Sequence, residues 1–297
     1  MDIRKKPRAL IVHNENAGTD PVPRAHIERV LREAGFDTIY CAHGEEDLEQ
    51  ALSAEFDFVI AAGGDGTVSH VVSLLDNGKR PIGVLPLGGS NNIAHALGIE
   101  GDWRNIPRRW SLSNWTLLDR CEAHGPWGHK QFVEAVGAGV LTQSFDDVDG
   151  EPDTAEEKRG NGRAAFRTAL QEATTFRCCV KADGWEWAGD CLMVEVMSIP
   201  LAGPRLRLGC HADPGDGLLD VVIVTSADRN EMLAWAEDPD DQPCPIKPLQ
   251  APCLKLTVEQ RPFRVDDRCP DQGVFGSVDI RVRSGPVRIL VPQENYR

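Results

Sequence analysis

The sequence predicts an α/β plus all-β fold: an N-terminal parallel-sheet domain followed by a β-rich domain, a sandwich or a barrel. Two observations carry this. Over roughly the first 110 residues, short apolar runs alternate with stretches of helical spacing, the pattern of parallel βαβ units. From about residue 117 the strand-like runs lengthen, helical stretches become scarce, and Gly/Asp turns such as Asp183-Gly184 separate them.

The elements follow in order. Residues 8–12 (RALIV) read as a first strand, and His13-Asn14-Glu15-Asn16-Ala17-Gly18 as a polar loop. Ile27, Val30 and Leu31 share one side of an amphipathic helix, opposite Glu28, Arg29 and Arg32, and Gly35 closes it. A strand at 36–41 and a helix around 45–54 follow. Residues 58–67 (FVIAAGGDGT) are an apolar run ending in a glycine loop, and Val68, Val71, Val72, Leu74 and Leu75 continue at helical spacing. Pro81 to Leu85 is a further apolar run, ending in Gly88-Gly89-Ser90-Asn91-Asn92. Ile93, Ala94, Ala96 and Leu97 then begin a helix closed by Gly98. In the β-rich half, strands are expected at 131–140, 176–183, 185–199, 218–225, 253–259 and 278–283, with one helix at 162–175. Residues 146–158, with seven acids, and the acid- and proline-rich 237–248 read as exposed connections.

Composition narrows the class. The chain has 297 residues, 41% of them hydrophobic, enough for two packed domains. A net charge of −14 argues against nucleic acid as a partner. Nine cysteines without a C-x-x-C read as reduced thiols in a cytoplasmic protein. The apolar stretch Ala9 to Val12 is too short for a signal peptide, and no run approaches a membrane span.

Three constellations carry chemistry. A glycine loop between a buried strand and a helix turns backbone amides toward an anion, usually phosphate. Asp65 lies inside such a loop. A carboxylate there repels the anion unless a cation or a proton-donating substrate intervenes, which points to phosphoryl transfer. The second loop, Gly88 to Asn92, follows another strand of the same sheet, so both loops lie at its carboxyl edge. Ser90, Asn91 and Asn92 also read as caps of the next helix. In the third, Asp213-Pro214-Gly215-Asp216-Gly217-Leu218-Leu219-Asp220, a tight turn enters a strand. It reads equally as a turn alone or as an oxygen-lined Mg²⁺ site. The cluster Trp103, Arg104, Arg108, Arg109 and Trp110 fits either an interfacial membrane patch or a helix with a solvated basic face.

Gly63-Gly64-Asp65-Gly66-Thr67, then Leu85-Pro86-Leu87-Gly88-Gly89-Ser90-Asn91-Asn92, resembles the diacylglycerol kinase catalytic-domain superfamily, which includes bacterial lipid kinases and sphingosine kinases. Asp216-Gly217-Leu218-Leu219-Asp220 is similar to its D-G-L-L-D segment, and Asn14-Glu15-Asn16-Ala17-Gly18 to its first-loop N-P-x-A-G. The resemblance spans nearly the whole chain in order. It implies a nucleotide-binding domain over 1–116, joined by about 286–297, and a β-sandwich acceptor-binding domain over 117–285. It implies ATP and Mg²⁺ as cofactors and a lipid or lipid-like alcohol as acceptor, with peripheral membrane contact. Asn14, Gly63, Gly64, Asp65, Gly66, Thr67, Gly88, Gly89, Ser90 and Asn91 would hold nucleotide, with Asp65 as base or metal contact. Asp213, Asp216 and the Leu218 carbonyl match the metal loop.

The motifs also depart from the family's pattern. His70 stands where a glutamate usually follows the GGDGT threonine. Gly89 replaces the second loop's threonine, and Asn92 its aspartate. The late D-G-E, which carries a catalytic glutamate, has Asp266-Asp267-Arg268 as its nearest match, and Arg268 cannot act as a base. Counting back from the strand at 278 instead places Asp271 there, so Asp271 or Asp267 is the candidate to substitute for the glutamate. The expected function is thus ATP-dependent phosphorylation of a diacylglycerol- or sphingoid-like hydroxyl. The alternatives are a catalytically impaired nucleotide- or lipid-binding homologue, or a kinase of a soluble alcohol.

Overall fold

A computed structural model describes residues 6–42, 51–75, 80–145, 152–210, 212–270 and 276–293. The helix expected around 45–54 lies mostly outside them, as does Asp271. The chain forms two compact units, Met1–Leu118 with Gly285–Arg297, and Asp119–Ser284.

The first unit runs β1 (Arg8–His13), α1 (Arg24–Glu33), β2 (Asp37–Ala42), β3 (Phe58–Gly63), α2 (Asp65–Leu74), β4 (Ile82–Pro86), α3 (Asn92–Ala96) and β5 (Trp115–Leu118). Its sheet has the order β2-β1-β3-β4, then the C-terminal strand Val287–Leu290, then β5. All pairs are parallel except the last, with β5 antiparallel at the edge. Every residue of β3 is buried, as is all of β1 after Arg8. Uninterrupted apolar runs suit strands covered on both faces. Helix α1 turns Ile27, Val30 and Leu31 inward.

The tryptophans do not form a membrane patch. Trp103 and Trp110 are buried. Trp110 packs on Phe36 and Phe58, and Trp103 on His26. The segment is a single 3₁₀ turn, Pro107–Arg109, rather than a helix. Apolar burial takes the rings, and Arg104 and Arg108 remain on the surface paired with Asp102 and Glu33. Among the described residues no helix is long and apolar enough to cross a membrane.

The second unit holds β6 (Cys121–Gly125), β7 (Gly128–Phe132), β8 (Ala135–Gly139), α4 (Val140–Ser144), α5 (Ala155–Glu172), β9 (Phe176–Ala182), β10 (Trp185–Cys191), β11 (Met193–Met197), β12 (Leu219–Val224), α6 (Arg229–Trp235), β13 (Leu249–Ala251), β14 (Cys253–Val258), β15 (Phe263–Val265) and β16 (Gly276–Val282). They form a six-stranded sheet, β10-β9-β14-β16-β6-β7, and a five-stranded sheet, β13-β12-β11-β8-β15. Both are antiparallel. Cys121, Val180, Leu256 and Val278 of the first meet Val136, Val194, Val221 and Phe263 of the second in one core, so this is a sandwich. Phe166, Leu170, Met232 and Trp235 from α5 and α6 join a second core with Met193 and Val222. The five-stranded sheet is therefore covered on both faces, and β8 and β11 are wholly buried.

Three expectations fail here for local reasons. The run 185–199 is two strands in different sheets, divided at Leu192, whose carbonyl accepts the Val140 amide. The run 131–140 likewise divides between β7 and β8. The helix expected at 162–175 spans Ala155–Glu172. Thr154 caps it by accepting the Glu157 amide at 3.1 Å. The acids of its first turn complement the helix dipole, so part of the expected acidic loop is helix. The hairpin β6–β7 and helix α6 were not expected.

Candidate functional site

Strands β1, β3 and β4 run parallel, so the loops that follow them share one edge of the sheet. There they interlock backbone to backbone. The Asn14 amide donates to the Ala62 carbonyl, and the Leu87 amide to the Gly63 carbonyl, each at 3.0 Å. Gly18, at φ +79°, lies so close to Leu87 that a Cβ would stand 2.3 Å from its carbonyl oxygen. A Cβ on Gly88 would stand 2.5 Å from the Gly64 Cα, and one on Gly63 2.2 Å from Thr67 Oγ1. Packing alone therefore requires glycine at these places. Gly66 differs: a Cβ there would meet nothing within 4 Å, so it faces open space at the start of α2.

Asp65 opens α2 and is buried. Its Oδ1 accepts the Ile93 amide at 2.9 Å, at the start of α3. The expected cap, Asn91, holds the N-cap position but does not cap. It adopts φ 51°, and its side chain turns back to Gly88, accepting the amide at 2.9 Å and donating to the carbonyl at 2.8 Å. Asn14 Oδ1 accepts the Asn16 amide and shapes the first loop. The Thr67 hydroxyl is turned inward over Gly63. Gly64 is the N-cap of α2, and Gly89 and Ser90 complete the second loop.

One relay at this edge was not read from the sequence. The buried His13 Nδ1 lies 2.9 Å from the Tyr40 hydroxyl, which donates to Glu15 at 2.8 Å. Burial lowers the His13 pKa, and Glu15 opposes that in part. The signal available was a histidine at the end of an apolar strand, directly before the first loop.

In the second unit the Asp213–Leu218 turn is built by its own carboxylates. Asp213 Oδ1 accepts the Gly215 amide at 3.2 Å, and Asp216 Oδ1 the Leu218 amide at 2.8 Å. A third carboxylate, Asp119, joins them from the start of the unit. It accepts the Gly217 amide at 2.8 Å, while its own amide donates to the Pro214 carbonyl. Burial pushes the Asp119 carboxyl above its ordinary value. Gly217 works against this, and Asp216 and Asp213 add to it. The three acids crowd negative charge around one turn, but each offers an oxygen to a backbone amide, and their donor atoms do not gather within 4.8 Å of one another. No local pattern marks Asp119, which is why sequence reasoning missed it.

The late motif forms a tight turn, with Val265 and Arg268 exchanging backbone hydrogen bonds. Asp266, at φ 48°, receives the amides of Val133, Glu134 and Ala135 on its carboxylate. It organises the β7–β8 connection. Arg268 is exposed.

Comparison with known proteins bears on this arrangement. Residues 8–120 match the model of the diacylglycerol kinase catalytic domain, and residues 151–238 that of the YegS C-terminal NAD kinase beta sandwich-like domain. Residues 8–120 thus match a diacylglycerol kinase catalytic domain, and the chain is similar to lipid kinases over most of its length. Among curated relatives, a diacylglycerol kinase of Bacillus subtilis is 29% identical over 77% of each chain. A protein of Pectobacterium atrosepticum named "probable lipid kinase YegS-like" is 28% identical over 81% of this chain and 82% of its own. A solved diacylglycerol kinase structure from Bacillus anthracis shares the fold, with a TM-score of 0.68, 18% identity and 97% of each chain covered. An NAD kinase from Archaeoglobus fulgidus, solved with ATP, shares it at a TM-score of 0.54 and 15% identity, over 98% of this chain and 96% of that one. The protein is thus lipid-kinase-like in sequence and fold.

Proposed function

We propose that this protein transfers the γ-phosphoryl group of ATP to the hydroxyl of a diacylglycerol- or sphingoid-like lipid. The observation that carries the reading is the interlocking of three loops at one sheet edge, with Gly66 open to solvent and Asp65 buried at the meeting of two helix starts. In this reading the first unit binds nucleotide. The amides at the start of α2 take phosphate, where the helix dipole adds to their pull. Asp65 faces the transferring group as base or metal contact. Catalysis is positioning and charge neutralisation with in-line attack by the acceptor hydroxyl.

The second unit holds the acceptor. Asp213, Asp216 and the Leu218 carbonyl would hold Mg²⁺, with Asp119 beside them. The gathering of three acids at this one turn is the observation that fits a cation; burial first, and then Asp216 and Asp213, hold the Asp119 pKa above its ordinary value. A cation bound there neutralises the turn and braces it. A lipid acceptor brings the protein to a membrane surface as a peripheral visitor.

One observation favours a second reading, a binding homologue with impaired catalysis. In the late turn the Asp266 carboxylate is held by backbone amides, and an arginine stands where a base is expected. Transfer of radiolabelled γ-phosphate to a panel of diacylglycerols, sphingoid bases and soluble alcohols tests both. Label on a lipid, lost in Asp65→Asn, supports the kinase. Nucleotide binding without label on any acceptor supports the impaired homologue. Label confined to soluble alcohols overturns the lipid assignment.

A further inference from the structure

The outer face of the six-stranded sheet carries a cluster that the phosphotransfer reading does not use. Glu122 and His124 are two residues apart on β6, so their side chains share a face. His129 of β7 stands directly opposite His124 in the antiparallel register. The diagonal then brings Glu122 to His129. His129 Nε2 lies 3.3 Å from Glu122 Oε2, and His124 Nε2 3.7 Å from Glu122 Oε1. The two imidazole centroids are 4.6 Å apart. One donor atom from each residue lies within 4.8 Å of the others, the only such group of three among the described residues.

We propose that Glu122, His124 and His129 form a zinc-class divalent metal site on the β6–β7 hairpin. A tetrahedral zinc with bonds of about 2.0–2.1 Å holds its donors roughly 3.4 Å apart, close to the two separations already present. Two imidazoles and a carboxylate are a borderline donor set that suits zinc rather than magnesium. The carboxylate is pre-set. Glu122 is nearly buried, and Arg281 pairs with it from β16, with Arg283 3.6 Å away. Such outer partners orient a metal-ligating carboxylate. The histidines are about half exposed, which leaves the fourth position to solvent. β7 is the edge strand of this sheet, and a metal across β6 and β7 would clamp it.

Two readings of the intact, chelator-treated protein in excess Mg²⁺ test this. Zinc chloride titrated calorimetrically should show one tight site and raise the melting temperature. His124→Ala with His129→Ala should weaken that site by more than about tenfold. Cobalt on the unaltered protein should give tetrahedral visible bands without the thiolate charge-transfer absorption that any of the nine cysteines would add. Absence of a tight site overturns the proposal. So does affinity unchanged in the double variant, or a thiolate-dominated cobalt spectrum. The cobalt measurement needs no variant, so a misfolded double variant leaves the test intact.

Discussion

Asp65 opens one helix and caps the next: its Oδ1 accepts the Ile93 amide at 2.9 Å, while Asn91, at that second helix's own N-cap, bonds back to Gly88. One carboxylate therefore joins the two glycine loops and answers two helix starts. Asp65→Asn keeps an acceptor oxygen for Ile93, so its melting temperature should stay close to that of the unaltered protein. Phosphotransfer should nevertheless fall by roughly a hundredfold, as loss of a base or metal contact does. Asp65→Ala should lose activity and also about 1 kcal/mol of stability, the usual cost of a missing cap. Unfolding curves beside an ATP-transfer assay separate the two roles. Full turnover in Asp65→Asn would leave this residue only its structural one.

At the sheet edge Gly18, Gly63 and Gly88 pack against neighbours, whereas Gly66 faces open space. Gly88→Ala puts a methyl against the Gly64 backbone and should cost about 1–3 kcal/mol as the loops part. Gly66→Ala meets no neighbour and lies in the first turn of α2, so it should raise stability by roughly 0.5 kcal/mol. Nucleotide affinity, measured by calorimetry, should still fall, because a methyl would stand where phosphate approaches the backbone. A Gly66→Ala protein that is more stable and binds nucleotide as before would remove this loop from the binding site.

The carboxylate trio gives a pH dependence. The Asp119 pKa is raised in the folded protein, first by burial and further by Asp216 and Asp213. The folded state then holds that proton more tightly than the unfolded chain. Without metal, stability should be greatest at the acid end of this group's titration. It should decline as pH rises from the ordinary aspartate range through the folded value. Asp119→Asn can still accept the Gly217 amide and should abolish the decline. Mg²⁺ should raise the melting temperature at neutral pH, and less so in Asp216→Ala. An equal Mg²⁺ response in both proteins would place the cation elsewhere.

Near the late turn a fully buried ion pair crosses the five-stranded sheet, Arg264 Nη2 to Glu195 Oε2 at 2.6 Å, and Gly137 lies under the carboxylate. A Cβ on Gly137 would stand 2.1 Å from Glu195 Oε2. Arg264→Met should cost about 3–5 kcal/mol, because it strands a buried carboxylate. Gly137→Ala should be destabilising alone and much less so beside Glu195→Ala. A double-mutant cycle by denaturant unfolding checks this, and strict additivity would refute it.

Much of this was legible where neighbours in sequence are neighbours in space. The apolar run 58–62, its glycines and the helical spacing after them mark β3, its loop and α2. The same cannot be done for Asp119, whose partner Gly217 lies far along the chain with no periodicity to link them. Leu192 hid a sheet crossing because it is as apolar as the strands it joins. The alternation before it, with Trp185 and Trp187 half-buried, and the wholly buried run after it hold the signal of two environments. The start of α5 was masked by its acids, although Thr154 and Glu157 have capping-box spacing. The His13–Tyr40–Glu15 relay needs the β1–β2 register, which only the paired strands supply.

Asp266 holds three amides of the β7–β8 connection, so Asp266→Ala should loosen that connection and lower stability, whatever it does to activity. Arg268 is exposed on the same turn. If it stands in for the family's glutamate, it grips phosphate by charge-assisted hydrogen bonds and accepts no proton. The unaltered protein then binds nucleotide well and transfers slowly. Arg268→Glu should weaken nucleotide binding and raise transfer, more so with Asp267→Gly. If Asp271 fills that role instead, Asp271→Asn should abolish a transfer that the unaltered protein plainly shows, and Arg268→Glu should change little. The three proteins assayed side by side for binding and transfer distinguish the cases. Robust transfer unchanged by either substitution would sink both and leave Asp65 as the one candidate base.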